Sequence, residues 1–211
     1  MAGNLVPRVN EAEALGTTLK RWLKGWFKDL FVSGDITDGT NTVTVAELKT
    51  VTAGGGRLVV VDEKPGNTGG GTFTSGAWRT RDLNTVIYNS IDGASLASNQ
   101  ITLPIGIYYI EADAPCWAMT SSVQDHKIKL RRITASAANI LIGTSAACSD
   151  VTPQTRSFFK GVFEIAEEVV FELQHITNMT STTYGFGMAY NTAIYGVDIN
   201  IYSQVSIQKI G

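Results

Sequence analysis

The run RSFFKGVFEIAEEVVFELQH at residues 156–175 constrains the fold more than any other part of the chain. In an extended strand successive side chains point to opposite faces. Phe159, Phe163 and Ile165 therefore share one face, yet Phe158 and Val162 make the opposite face apolar as well. Glu167 and Glu168 fall between two apolar strands, where a hairpin turn leaves charges in water. A strand apolar on both sides needs a sheet partner on one and a second buried surface on the other, which points to an antiparallel sandwich that also buries a face in an oligomer.

The same period continues elsewhere. From Arg57 onward about ten strand-like runs are separated by turn residues, with no helical period. The 21 glycines against 5 prolines, with abundant Thr, Ser, Ile and Val, fit strands joined by tight turns. In GIYYIEADA, Tyr108, Ile110 and Ala112 take one face, with Tyr109 and Glu111 on the other. In KIKLRRI, Ile128 and Leu130 face a core while Lys127, Lys129 and Arg131 face outward as a solvated basic row. The last runs, YGFGMAY and IYGVDINIYSQVSIQKI, are expected to bury Tyr195, Val197, Ile199 and Ile201 on one side. The fold class expected for residues 57–211 is all-β, an antiparallel sandwich.

The amino-terminal part reads differently. Asn10 with Glu13 three residues on has the form of a helix cap and capping box. Leu15, Leu19, Trp22, Trp26 and Leu30 then recur at helical spacing, with Leu23 and Phe27 widening the stripe. Gly25 weakens this amphipathic helix by about 1 kcal/mol relative to alanine, so it needs a surface to lie on. Asp38-Gly39 signals a turn, and Thr42 to Ala46 alternates like a short strand. Three successive glycines at 54 to 56 read as a hinge. The expected organisation is a helical arm at 1–31, a short β and turn linker at 32–56, and a sandwich domain at 57–211.

Composition narrows function. A net charge of −2 argues against a general nucleic-acid binder. No apolar run reaches about 18 residues, and the first residues lack the layout of a secretory leader, so synthesis in the cytoplasm is expected. Cys116 and Cys148 have no companions at metal-site spacing and are expected to be buried thiols in preference to a bridge. His126 and His175 stand in separate runs with no hydrolase, zincin or phosphate-loop motif around them, and His175 falls on the Phe171 and Leu173 face as a packed residue. GDITDGTN offers Asp35, Asp38 and Asn41 to a cation but lacks the rest of a calcium loop. The sequon at Asn178 has no secretory context. No catalytic residue, metal or cofactor is expected; a glycan-cleaving role has only scattered carboxylates such as Glu167 and Glu168 behind it.

Several stretches together resemble a known family. GTFTSGAWRTRDLNT, ASNQITLPIGIYYIEADAP, TRSFFKGVFEIAEEVVFELQH and the closing YGVDINIYSQVSIQKIG are similar to the jelly-roll knobs of tailed-phage and prophage virion proteins, themselves akin to the tumour necrosis factor and complement globular heads. The shared features are the turn into a core strand at Gly106 and Tyr108, the hairpin from Ile165 to Leu173, and the last strand after Gly196. ALGTTLKRWLKGWFKDLFVSGDITDGTNTVTVAELK resembles the attachment-end module of phage fibres and spikes. The resemblance implies a homotrimer without enzymatic activity, placed on the virion surface.

On this reading Leu19, Trp22, Leu23, Trp26, Phe27 and Leu30 dock the arm on a phage tail or capsid protein, the alternative being a membrane-surface helix. Phe158, Val162, Tyr184, Phe186 and Tyr190 supply the trimer interface. Lys127, Lys129 and Arg131 contact the host surface, a glycan or outer-membrane protein. A capsid decoration protein that clamps neighbouring subunits is the alternative to a receptor-binding fibre or spike, because only about 25 residues separate helix from knob where a fibre carries a long shaft.

Overall fold

The computed structural model describes residues 36–37, 42–43, 55–118, 121–134, 136–150, 154–190, 196 and 198–211. The proposed docking helix, with Leu19, Trp22, Leu23, Trp26, Phe27 and Leu30, lies outside the described residues, as do Asp35, Asp38 and Asn41. Two compact units divide the chain, residues 1–52 and 53–211. In the first, β1 (Ile36–Thr37) pairs antiparallel with β2 (Thr42–Val43) across the Asp38-Gly39 segment.

The second unit is built from two antiparallel sheets and has no helix among its described residues. The first sheet runs β11 (Thr155–Ile165), β8 (Gly106–Cys116), β13 (Ile199–Lys209), β3 (Arg57–Pro65), β5 (Thr85–Asn89). The second runs β10 (Ala138–Cys148), β9 (Gln124–Arg132), β12 (Val169–Thr177), β7 (Gln100–Leu103), β6 (Ser95–Ala97), and β4 (Arg79–Thr80) adds to β12. Number the eight strands β3 and β7 to β13 from first to eighth, and the sheets read 6-3-8-1 and 5-4-7-2. The chain thus crosses between sheets at most connections, which is the winding of a jelly roll. The expected all-β sandwich is met.

The core follows the period-two reading. Leu58, Val60, Tyr108, Ile110, Ala112, Phe159, Ile165, Val205 and Ile207 of the first sheet meet Ile101, Leu103, Ile128, Leu130, Val169, Phe171 and Leu173 of the second. Phe163 bridges the layers, with Tyr108 at 5.8 Å on one side and Phe171 at 5.4 Å on the other, centroid to centroid. Tyr108 keeps its hydroxyl satisfied by donating to Pro104 O at 2.6 Å. The Glu167-Glu168 pair forms the exposed turn between β11 and β12, as expected.

Three expectations are corrected. Ile199, assigned to the buried face, is 44% exposed, and Ile201 is only half-buried. Between Ile201 and Gln204 the register against β3 shifts by one residue, a bulge that flips the parity of β13 so that Tyr202, Val205 and Ile207 are buried instead. Tyr195 and Val197 lie outside the described residues. YGFGMAY is not a strand but an irregular segment, tied to the Gly69–Gly71 loop by Gly70 N to Gly187 O at 2.8 Å and Phe186 N to Gly71 O at 3.1 Å. Finally, Gly55 and Gly56 are no free hinge. A Cβ on Gly55 would stand 1.6 Å from Lys209 O, and one on Gly56 would stand 2.5 Å from Ser90 O. Gly55 lets the backbone enter β3 pressed against the carboxyl-terminal strand and Gly56 lets it pass Ser90 and Ile91, while Gly56 O accepts Lys209 N at 2.8 Å.

Candidate functional site

The outer face of the first sheet carries the second apolar surface. Phe158 and Val162 of β11 stand 52% and 57% exposed. Their registered neighbours on β8 are Asp113 and Tyr109. Further across the sheet, exposed Tyr88 of β5 lies beside Val59 of β3. Between Phe158 and β13 the face dips into a cavity of about 360 Å3 bordered by Glu111, Asp113, Lys160, Gln204 and Ser206. Arg156 holds one wall by pairing with Asp113 and donating to Tyr202 O. The face is thus a set of large apolar side chains in a polar surround.

The outer face of the second sheet carries the basic row. Lys127, Lys129 and Arg131 stand in register with Ile176, Gln174 and Glu172 of β12. Lys129 departs from the expected solvated row: it is only 4% exposed, because Trp78 covers it with Nζ 4.0 Å from the ring centroid. Burial, followed by the charge of Arg131, lowers its pKa. Glu172 accepts from Thr80 Oγ1 at 2.8 Å, Gln100 Nε2 at 2.9 Å and Gln174 Nε2 at 2.8 Å. Burial pushes its carboxyl upward, but these three donors and Arg131 outweigh it and leave the pKa below the ordinary value. Lys127 borders an open cavity of about 560 Å3 that also touches Asp125, His126, Ser145, Ile176 and Asn178.

The YGFGMAY segment divides between surface and interior. Tyr190 is exposed, and Tyr184 meets Trp117 edge-on at 5.9 Å. Phe186 packs within its own protomer: its ring lies 4.4 Å from Phe73, and the Arg81 guanidinium sits 4.1 Å above it. That packing leaves Phe186 half-buried against a small second core of Phe73, Cys116, Ala118 and Cys148.

Around this second core sequence reasoning missed a buried polar group. Arg81 is fully buried, donating to Phe186 O at 3.0 Å and Ser203 Oγ at 3.4 Å, with Asp62 at 3.8 Å. Burial lowers Arg81 to about 10 and raises Asp62, whose second cation is Lys64 at 3.0 Å. His126 and His175, read as isolated, meet at 2.9 Å through Nδ1 and Nε2, and His126 Nε2 reaches Thr155 Oγ1 at 2.9 Å. Burial, with Arg81 adding repulsion, lowers His126 to about 4 and His175 well below its usual range. Cys116 and Cys148 are free, buried thiols with sulfurs 3.2 Å apart; the hydrogen bond between them and burial push the Cys116 thiol up. Asp62, Cys116, His126 and His175 occupy the inward parity of their strands, which is the signal available in sequence, whereas Arg81 lies just past β4; no spacing reveals that these segments converge.

Two antiparallel sheets wound in jelly-roll order define the class of the 53–211 unit. No family model and no curated protein matches the sequence. Among solved structures the chain is similar to murine APRIL at pH 8.0, with 8% identity over 74% of this chain and 99% of that one and a TM-score of 0.47. It is similar also to the globular domain of zebrafish complement 1qA protein, with 10% identity over 74% of this chain and 97% of that one and a TM-score of 0.44. The jelly-roll assignment rests on the strand order of the two sheets.

Proposed function

We propose that this chain is a non-enzymatic surface protein of a phage virion, a homotrimer whose amino-terminal arm docks on the particle and whose knob binds the host surface. The carrying observation is the half-exposed Phe158 and Val162 in the middle of a β-strand. Two large apolar side chains exposed on one sheet face, on either side of Lys160, support a protein contact over a solvated surface. Sequence resemblance to phage knobs supplies the trimeric arrangement and the virion setting. Lys127, at the 560 Å3 cavity, and Arg131, four residues further along β9, offer positive charge to an anionic host glycan. Lys129, beneath Trp78, supports that tryptophan instead of contacting the glycan itself.

Light scattering of the full chain at micromolar concentration tests the trimer, with three protomer masses expected and a stable monomer refuting it. Phe158→Lys is expected to dissociate the trimer, since a charge in a dry interface is costly without a partner. A capsid decoration protein is the second reading, favoured by the roughly 25 residues between helix and knob. Labelling the protein and counting copies on the particle separates the two: hundreds over the capsid for decoration, a few at the tail for a fibre or spike.

A further inference from the structure

We propose that Cys116, Cys148 and His126 form a zinc site inside the second core, with His175 as the group that orients His126. The two sulfurs and one ring nitrogen of His126 all lie within 4.8 Å of one another, and all three residues are buried. Nδ1 of His126 is engaged by His175, so Nε2 is the nitrogen left for a metal. That nitrogen already points to the Thr155 hydroxyl, which also hydrogen-bonds Cys148. In the tautomer whose Nδ1 proton goes to His175, Nε2 is bare, as a metal ligand requires.

The chemistry fits zinc. Two thiolates and a neutral imidazole give a complex with no net charge, which a dry interior tolerates. Each thiol releases one proton as its sulfur binds, so loading releases two protons per ion. Tetrahedral zinc places two sulfurs about 3.8 Å apart and sulfur and nitrogen about 3.6 Å apart. The sulfurs at 3.2 Å must open slightly and the ring nitrogen close by up to about 1 Å, shifts on the scale of side-chain adjustment. Thr155 Oγ1 or a water completes the fourth position. A disulfide would account for the two sulfurs alone. It would leave unexplained the third ligand, whose other ring nitrogen is held by a hydrogen bond, as the second nitrogen of a metal-binding imidazole is.

The chain holds 2 cysteines in all, so any thiolate-to-metal absorption reports this site. The test is a cobalt(II) titration of the reduced full chain. Thiolate charge-transfer and tetrahedral ligand-field bands should saturate at one ion per protomer and vanish on adding zinc. Cys148→Ser should abolish the charge-transfer band's saturation, and His175→Gln should weaken cobalt affinity roughly 10- to 100-fold while keeping the band. Absence of these bands in the reduced parent protein overturns the site, whether or not the variants fold. So does loss of two hydrogens to an intramolecular disulfide that forms in air in the presence of excess zinc.

Discussion

Replacing Arg81 with methionine tests whether the buried ion group holds the knob together. Methionine fills much of the arginine stem's volume but removes the guanidinium from a fully buried position. Asp62, itself buried, is left with Lys64 at 3.0 Å as its cation, and Phe186 O and Ser203 Oγ each lose a donor. Breaking one partner of a buried pair costs about 3–5 kcal/mol, a large part of the roughly 5–15 kcal/mol that holds a domain together. The penalty has a signature in pH. Burial already raises the Asp62 carboxyl, and loss of Arg81 raises it further. A carboxyl whose folded pKa lies above its unfolded value favours folding as it takes up a proton. The variant's deficit should therefore shrink as pH falls from 7 through that folded pKa, by up to about 1.4 kcal/mol per unit. Urea unfolding followed by tryptophan fluorescence, at fixed protomer concentration and at pH 7 and 5, measures both effects. Adding Asp62→Leu should restore most of the loss at pH 7. A single variant within about 1 kcal/mol of the parent, or a double variant no better than the single, would refute the assignment.

Gly55→Ala should destabilise the knob by about 3 kcal/mol in the same assay, because the new methyl group meets the backbone at Lys209 O and not a movable side chain. Glu172→Gln should lower stability by about 1 kcal/mol at pH 7, part of the charge-assisted bonding being screened at a half-buried site. Since the folded Glu172 pKa lies below its unfolded value, that contribution is present above about pH 4.5 and lost as pH falls through the folded pKa, so parent and variant should converge in acid. If the arm docks on a particle as proposed, Trp22→Ala with Trp26→Ala should abolish incorporation into virions while the knob still assembles, an aromatic anchor at such a contact being worth about 2 kcal/mol or more. Binding of the full chain to anionic liposomes that falls when Lys20, Arg21, Lys24 and Lys28 are neutralised, with normal virion incorporation of the double variant, would favour the membrane-surface helix instead.

What alternation alone can express was legible in the sequence. Tyr108, Ile110, Ala112, Ile128, Leu130 and Phe159 are buried where a period of two puts them, and Phe158 and Val162 emerge on the opposite side. In β13 the inserted residue breaks the period, and a bulge leaves no mark in composition. Lys129 follows the alternation but is covered by Trp78, a residue from another part of the chain. His126 and His175 are 49 residues apart, and only the pairing of β9 with β12 makes them neighbours. The Gly55-Gly56 pair carries the composition of a flexible joint, whereas its use is close backbone approach, a distinction that for Gly55 depends on a strand more than 140 residues away.

The position of β13 between β8 and β3 bears on how the protein is made. The first strand of the knob finds its long neighbour only when residues 199–209 have left the ribosome, since β3 otherwise pairs only with short β5. At about 5–20 residues per second, translation from β3 to β13 takes on the order of ten seconds. For that interval the nascent knob presents β3, and from its synthesis onward β8, as open edges, which are templates for pairing with other chains. Polysomes carrying several such chains close together would favour cross-pairing between neighbours. A chaperone that shields strand edges during synthesis should therefore raise the soluble yield more than one acting on the finished chain.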